Sequence, residues 1–366
     1  MKVNEIQEVT ERHWQEAKLT PSLVFPDQFQ GFFSRTQAQY APLLVIAREE
    51  MVALNYPTLA ERYYSYVVSD NPQPSFMLCP LMFLGLADAS GGVTPAHRAF
   101  LPILMLVMEM VAVMDDTADR TPVRSGRPTF PATFGEDSAT PFVATLVGAA
   151  FIETAKRAPA LIDLLGDLIV ELGACELWEM HHRYPQRSLH TTWLHNRYEQ
   201  ARLAFAFTLD SALRLNGHPP LPHLATLTFA RISQDVDDVV NLVETREHAG
   251  ENDDFKMGIV TRPLVEALNA VPKLTDDVYG AWAAYAAINN LPRQMFLDQL
   301  LDVNRAEAAR VQRVHATMQQ FGVPATLHQM EQDAQLCIAE TPAALQPIIE
   351  EMVQTFVERL ENVQTA

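Results

Sequence analysis

From Phe100 to Met114 the chain is apolar at every position except Glu109, and it then turns directly into Asp115-Asp116-Thr117-Ala118-Asp119. A stretch this greasy has to be buried. Interrupted by Pro102 and Glu109, it falls short of the roughly 20 residues that cross a bilayer. Both constraints are met by a core helix whose end carries carboxylates. Residues four apart share a helix face, so Asp115 stacks on Asp119 with Asp116 beside them. The same face runs back through Ala112, Val111, Met108 and Met105. An acidic rim then caps an apolar wall, the complement of a ligand with a diphosphate head and a hydrocarbon tail. Clustered carboxylates repel unless cations neutralise them, and an all-oxygen donor set suits Mg²⁺. Taken alone, such a cluster also describes an ordinary solvated helix end.

The rest of the chain has the same helical character. Of 366 residues 48% are hydrophobic, enough for a substantial core. Helices are expected over Pro42 to Leu54, with the proline at the first helical position, and over Leu59 to Val67. Phe76 to Ala89 is apolar all round and therefore buried. Pro95 to Asp119 is the long acidic-ended helix, and Arg120 to Ser138 reads as a loop. Further helices cover Thr140 to Ala158, Ala160 to Met180, Leu194 to Asn216 (closed by Gly217) and His223 to His248. From Thr275 onward the pattern stays helical, with breaks at Pro292, Pro324 and Pro342. No strand alternation and no glycine-rich phosphate loop are visible. The expectation is a single all-α domain over 1–366, with N-terminal helices to residue 70, a motif-bearing core over 75–270 and C-terminal helices over 275–366.

Charge excludes one class. The net charge is -18 with no basic stripe, which argues against a nucleic-acid binder. Cys79, Cys175 and Cys337 are odd in number and form no CxxC, so neither disulfides nor zinc are indicated. The N-terminus has no signal-like apolar segment. A soluble cytoplasmic protein without integral membrane association is expected. No three of His181, His182, His190 and His195 share a helical face, so they read as surface residues or as supports behind a site rather than as metal ligands.

A second cluster sharpens the reading. Asp237, Asp238 and Asn241 repeat the spacing of the first. Two such helices facing each other across a cavity would hold Mg²⁺ between them and a diphosphate across the ions. Cations there stabilise charge on a departing diphosphate oxygen. The allylic cation left behind needs a dry pocket and gains from aromatic faces, for which Phe205 and Phe207 are candidates; they read equally well as core residues. Arg120, Arg124 and Arg127 follow the first cluster and serve either as charge balance or as phosphate contacts.

Asp115 to Asp119 followed by Arg124-Ser125-Gly126-Arg127-Pro128-Thr129 resembles the first aspartate-rich motif of the trans-isoprenyl diphosphate synthases, DDxxD then RRGxPT. Gln234 to Asn241, followed by Gly250 to Pro263, resembles their second motif. The resemblance implies an all-α isoprenoid-synthase helical bundle around a central cavity, three Mg²⁺ ions and a homodimer. Carried over residue by residue, metal falls to Asp115, Asp119, Asp237 and Asn241, supported by Asp116 and Asp238. Arg124 and Lys256 fall to diphosphate, joined by Arg202 and Arg262 as substitutes for two missing lysines, now Phe205 and Ile259. Phe76, Met105, Met108, Val111, Ala112 and Phe205 fall to the pocket.

The departures concern the second substrate of that family, isopentenyl diphosphate. Its basic stretch is Ser75 to Pro80 here, the His or Gln seven positions before Asp115 is Met108, and the second arginine of RRG is Ser125. A free diphosphate is not held without cations. The expectation is therefore a class I terpene synthase that ionises farnesyl or geranylgeranyl diphosphate with Mg²⁺ and releases diphosphate and a terpene. The longer substrates are favoured because Val111 and Met110, not aromatic residues, precede Asp115. The alternatives are a prenyltransferase with a non-isopentenyl acceptor and a non-catalytic subunit of a prenyl diphosphate synthase.

Overall fold

Phe32 and Phe33 bury their rings completely and begin helix α1, Phe32–Leu54. Pro42, expected at a helix start, lies inside it. Burial of the two rings outweighs the backbone hydrogen bond that an interior proline removes. In the computed structural model of the chain, residues 31–54, 74–121, 123–124, 127–185, 191–244 and 254–365 are described. The helix expected over Leu59 to Val67 lies outside them.

The regular elements among the described residues are helices, apart from one ribbon of two two-residue strands, and the chain groups into two compact units. The first comprises Met1–Thr117, Thr121–Asp167 and Ala206–Pro220; the second comprises Ala118–Arg120, Leu168–Phe205 and Leu221–Ala366.

In the first unit, α2 (Pro74–Ala89) is buried from Cys79 to Ala87, with Leu81, Met82, Phe83, Leu84, Leu86 and Ala87 at 0% exposure. Helix α3 (Pro95–Ala118) carries the first acidic cluster. Its start is tied down by a histidine. The Thr94 N–H donates to His97 Nδ1 at 3.2 Å, and His97 Nε2–H donates to the Ala212 carbonyl at 3.0 Å. His97 thus meets the backbone N–H of the residue before the helix, as the Glu of a capping box does. Fully buried Phe100, Leu101, Ile103, Leu104, Met105, Leu106 and Val107 each contribute about 1.5–3 kcal/mol of apolar burial.

The expected loop after α3 is more ordered than its Pro, Gly and Arg content announced. It holds strands β1 (Val123–Arg124) and β2 (Arg127–Pro128), paired antiparallel, and a short helix α4, Phe130–Phe134. Thr129 explains α4: its hydroxyl accepts from the Ala132 N–H at 3.3 Å and donates to the Thr121 carbonyl at 2.6 Å. Helix α5 (Glu136–Arg157) has acidic residues in its first turn and basic residues in its last, matching the helix dipole. It is the one described helix long and apolar enough, by length and composition, to cross a membrane.

Helix α6 (Ile162–His182) and helix α7 (Thr191–Leu215) follow, then α8 (His223–Glu244), which carries the second acidic cluster. Within the second unit α8 packs against α12 (Val323–Glu340) and α13 (Gln346–Thr365). Helix α9 (Arg262–Ala270) precedes a packed pair, α10 (Thr275–Asn289) and α11 (Arg293–Thr317). The break expected at Pro324 falls between α11 and α12. Met318–Gly322 forms a π turn that joins α11 to α12, and Pro324 sits in the first turn of α12, where a missing N–H costs nothing. Gly322 lies so close to the Pro263 carbonyl that a side chain there has no room. The three cysteines are free.

Candidate active site

The second unit gathers its charges around two arginines that the sequence motifs do not contain. On α6, Glu179 and Arg183 are one turn apart. Arg183 lies just past the helix end, and its side chain is 4% exposed. Its Nη2 donates to Glu179 at 3.0 Å and to Asp119, and its Nη1 donates to the Ala118 carbonyl at 2.9 Å. A cation thus closes the C-terminal end of α3, where the helix dipole favours it. On α7, Arg197 Nη2 bridges Asp238 Oδ1 and Asp254 Oδ2, each at 2.8 Å. Gln234 Nε2 adds a bond to Asp238 at 2.9 Å.

These groups share one electrostatic field. Burial pushes the Asp254 carboxyl up to about 8; Arg197 opposes this, and Asp238, Asp119 and Asp237 reinforce it. Burial likewise raises Asp238, against Arg197. Burial works against the charge on Arg183, but Asp119 and Glu179 outweigh it and hold the guanidinium protonated. Asp119, from the first motif, and Asp238, from the second, are therefore brought together with Asp254.

A backbone pin fixes the turn that carries Asp254. Tyr184, in the left-handed region at φ 55°, donates its N–H to the Gly258 carbonyl at 3.1 Å. Gly258 has φ 74°, and a Cβ on it would lie 2.5 Å from the Tyr184 ring, so this position requires glycine. The Tyr184 hydroxyl donates to the Lys256 carbonyl and the Trp282 indole to the Phe255 carbonyl, both at 2.7 Å.

Beside the arginines lies a pocket lined by Trp178, Glu179, His182, Arg183, Trp193, Asn196, Arg197 and the 258–260 segment. Trp178 stacks on His182 at 4.2 Å between centroids, and Trp193 meets Trp178 at 5.0 Å.

A separate buried network sits deeper. Tyr198 donates to Asp235 Oδ1 at 2.7 Å; Arg262 Nε pairs with Asp235 Oδ2 at 2.9 Å; Arg262 Nη2 lies 3.4 Å from Asp333. Burial pushes Asp235 up to about 7, with Arg262 opposing. Arg262, expected at the diphosphate, is 8% exposed and committed to these carboxylates.

The remaining expected site residues are placed as follows. Asp115 is half-buried and Asp116 buried at the end of α3, while Asp237 is 51% exposed with Arg359 3.7 Å away. Asn241 is half-buried one turn further along α8. Met105 and Met108 are buried; Val111 and Ala112 are half-buried. Arg202 pairs with Glu199 at 2.5 Å and approaches Glu171 at 3.9 Å, a surface-facing acidic grip rather than the Asp119–Asp238–Asp254 group. Phe205 packs edge-on against Phe229 and Phe356 at 5.3 and 6.5 Å. Lys256 stands in the pinned turn. The side chains of Phe76, Arg124 and Arg127 lie outside the described residues, as does Arg124's neighbour Ser125.

Among the described residues no three Asp, Glu, His or Cys side chains form a ready metal cage. The donor chemistry nevertheless fits Mg²⁺. Asp119, Asp238 and Asp254 are hard oxygen donors, and Asp238 Oδ2 is buried with no hydrogen-bond partner among the described residues. Mg²⁺ typically takes only one or two carboxylates and completes its shell with water and substrate phosphate oxygens.

The polyprenyl synthetase family profile matches residues 77–295. A probable mitochondrial hexaprenyl pyrophosphate synthase of Yarrowia lipolytica is 24% identical over 202 residues, covering 52% of this chain and 45% of that protein. An all-trans-nonaprenyl-diphosphate synthase (geranyl-diphosphate specific) of Rhodobacter capsulatus is 28% identical over 207 residues, covering 52% and 60%. The chain thus spans about half the length of these relatives. A crystal structure of a Caulobacter crescentus polyprenyl synthase, complexed with calcium and isoprenyl diphosphate, superposes with TM-score 0.71 at 15% identity, covering 90% of this chain and 98% of that one. The geranylgeranyl pyrophosphate synthetase of Pyrococcus horikoshii gives 0.68 at 15%, covering 89% and 98%. The fold is the all-helical isoprenoid-synthase fold, and the chain belongs to the polyprenyl synthetase family.

Proposed function

We propose that this chain ionises an allylic prenyl diphosphate and transfers the prenyl group to an acceptor other than isopentenyl diphosphate. The observation that carries this reading is the joint field of Asp119, Asp238 and Asp254, drawn from both aspartate-bearing segments and flanked by Arg183 and Arg197. Bound Mg²⁺ supplies Lewis acidity toward the departing diphosphate oxygens. Asp119, Asp238 and Asp254 are the residues that would hold it, with Asp115, Asp237 and Asn241 as further oxygen donors. Lys256 and Arg124 are the cations assigned to the diphosphate. The kinship with relatives named as prenyl diphosphate synthases supports transfer. Replacement of the basic acceptor residues by Met108 and Ser125 argues against a second diphosphate as the acceptor.

Internal cyclisation of a fifteen- or twenty-carbon substrate is the second reading, favoured by the buried Met105 and Met108 below the first cluster. A homodimer belongs to the proposal as well; Val170, Leu177 and Met180 on α6 are exposed among the described residues.

The test is to incubate the protein with geranyl, farnesyl or geranylgeranyl diphosphate, with and without isopentenyl diphosphate, and to measure diphosphate release and organic products. Release that needs Mg²⁺, stops with a chelator and consumes no isopentenyl diphosphate is expected. Chain elongation would overturn the acceptor assignment. Abundant hydrocarbon from the allylic substrate alone would favour cyclisation.

A further inference from the structure

Among the described residues, two that are not glycine hold a left-handed backbone: Arg120 at φ 53° and Tyr184 at φ 55°. They directly follow Asp119 and Arg183, the two ends of one ion pair. An L side chain is crowded in this region, and a residue stays there only where its surroundings hold it. Tyr184 is held by its main-chain pin to Gly258. Arg120 is held by its own side chain. Its Nη1 donates to the Leu291 carbonyl at 2.8 Å, in the turn between α10 and α11. Its guanidinium lies over the Phe296 ring, 5.4 Å from the centroid, and Phe296 is buried. Burial raises the pKa of the Tyr184 hydroxyl, and the Arg183 and Arg120 guanidiniums oppose it, so the two turns share one field.

Helix α3 ends at Ala118, which makes Asp119 its cap residue. Arg120 takes the left-handed position where glycine is usual, and the Thr121 N–H donates to the Asp116 carbonyl at 3.1 Å to close the turn. Helix ends fray readily, and a carboxylate on the cap residue moves with them. Here the residue next to that carboxylate is tied to the α10–α11 pair by a hydrogen bond from a charged donor and a cation–π contact. Glycine would adopt the same backbone more easily but could tie nothing. The sequence alone offers Arg120 as charge balance or as a phosphate contact; in the fold its guanidinium engages a carbonyl and a ring of the protein.

We propose that Arg120 is a positioning residue for Asp119: through Leu291 and Phe296 it fixes the 118–120 segment, so that the Asp119 carboxylate meets the same Mg²⁺–diphosphate as Asp238 and Asp254. This rests on the metal reading above and adds a residue that touches neither metal nor substrate. A metal carboxylate has to be held to within about 0.5 Å of its working position. Arg183 grips the carboxylate itself, and Arg120 grips the backbone beside it. An anchor of this kind changes how much Mg²⁺ is needed. A direct phosphate contact would instead weaken diphosphate at every Mg²⁺ level and would not depend on Phe296.

The test is calorimetric titration of the full chain with inorganic diphosphate over a series of Mg²⁺ concentrations, alongside urea unfolding. Arg120→Gly should raise the Mg²⁺ needed for half-maximal diphosphate binding about tenfold, the lower end of what losing a support behind a metal ligand costs. Its urea midpoint should stay almost unchanged, because relief of the left-handed backbone offsets the lost contacts. Phe296→Leu should raise the Mg²⁺ requirement about threefold. The double variant should be no worse than Arg120→Gly alone, as expected for two parts of one anchor. Arg120→Lys, which keeps a cation for the carbonyl and the ring, should recover most of the loss. Mg²⁺-dependent binding in the wild type that Arg120→Gly leaves unchanged overturns the positioning role alone. So does a loss in Arg120→Gly that is equal at every Mg²⁺ level with Phe296→Leu like wild type, or a loss that follows a lowered urea midpoint in every variant. A wild-type chain that binds no diphosphate with Mg²⁺ overturns the metal reading, and the positioning role with it.

Discussion

At the end of α3 the carboxylates straddle the last helical turn; Asp116 is buried, and Asp119 keeps a fifth of its side chain exposed beside Arg183. In α8 they lie mid-helix, where Asp235 and Asp238 are buried and each has its own guanidinium from another element, Arg262 and Arg197. A charge at a helix end can be settled by whatever ligand arrives. A charge in the middle of a packed helix must be settled by the protein, because an uncompensated buried ion costs several kcal/mol. Asp235 and Asp238 are therefore settled inside the fold, whereas Asp119 keeps a side open to solvent.

That contrast can be broken most directly at α3. Asp119→Asn and Asp115→Ala should each lower Mg²⁺-dependent diphosphate release by about a thousandfold, the scale of losing a key electrostatic group. The urea midpoint should hardly move for Asp115→Ala, while Asp119→Asn also weakens the hold on buried Arg183 and should lower it; undiminished turnover would remove the metal assignment. The opposite signature is expected at Arg262→Met, which strands Asp235 and Asp333. Urea unfolding should show a loss of about 3–5 kcal/mol, the cost of breaking a buried pair from one side. A near-neutral result would mean that the deeper network is dispensable. Gly258→Ala tests the pinned turn, and a cost of about 1–3 kcal/mol is expected for a side chain forced into that backbone, together with weaker retention of Asp254 beside Arg197.

The smallest effect concerns the start of α3. Burial lowers the pKa of His97, against the Ala212 carbonyl, which raises it. A depressed pKa means that the unfolded chain binds the proton more readily than the folded one. The contribution to stability is complete above about pH 6.5 and is lost as pH falls below it, at no more than about 1.4 kcal/mol per pH unit for one proton. His97→Gln should flatten that slope in thermal unfolding curves between pH 7 and 5; an unchanged slope would show that the cap does not titrate.

Helix identity and most boundaries were legible because apolar periodicity survives in the sequence: α2 and α3 fell within two residues of expectation. The misplaced Pro42 shows the limit, since tertiary burial outvoted local propensity. At the site, the aspartates announced themselves by spacing, whereas Arg183, Arg197 and Asp254 did not. Their roles depend on approach between segments far apart in the chain, which spacing along one helix does not encode. One trace was available: Glu179 and Arg183 are an i,i+4 pair, and Arg197 and Tyr198 are polar neighbours of buried Leu194 on α7. Arg262 shows the converse, a cation beside a motif whose charge is spent inside the fold.

The contact between Tyr184 and Gly258 runs through main-chain atoms, so it survives any exchange of the side chains lining the neighbouring cleft. Trp178, His182 and Trp193 can then drift, or be randomised in a library, without loosening the segment that carries Asp254.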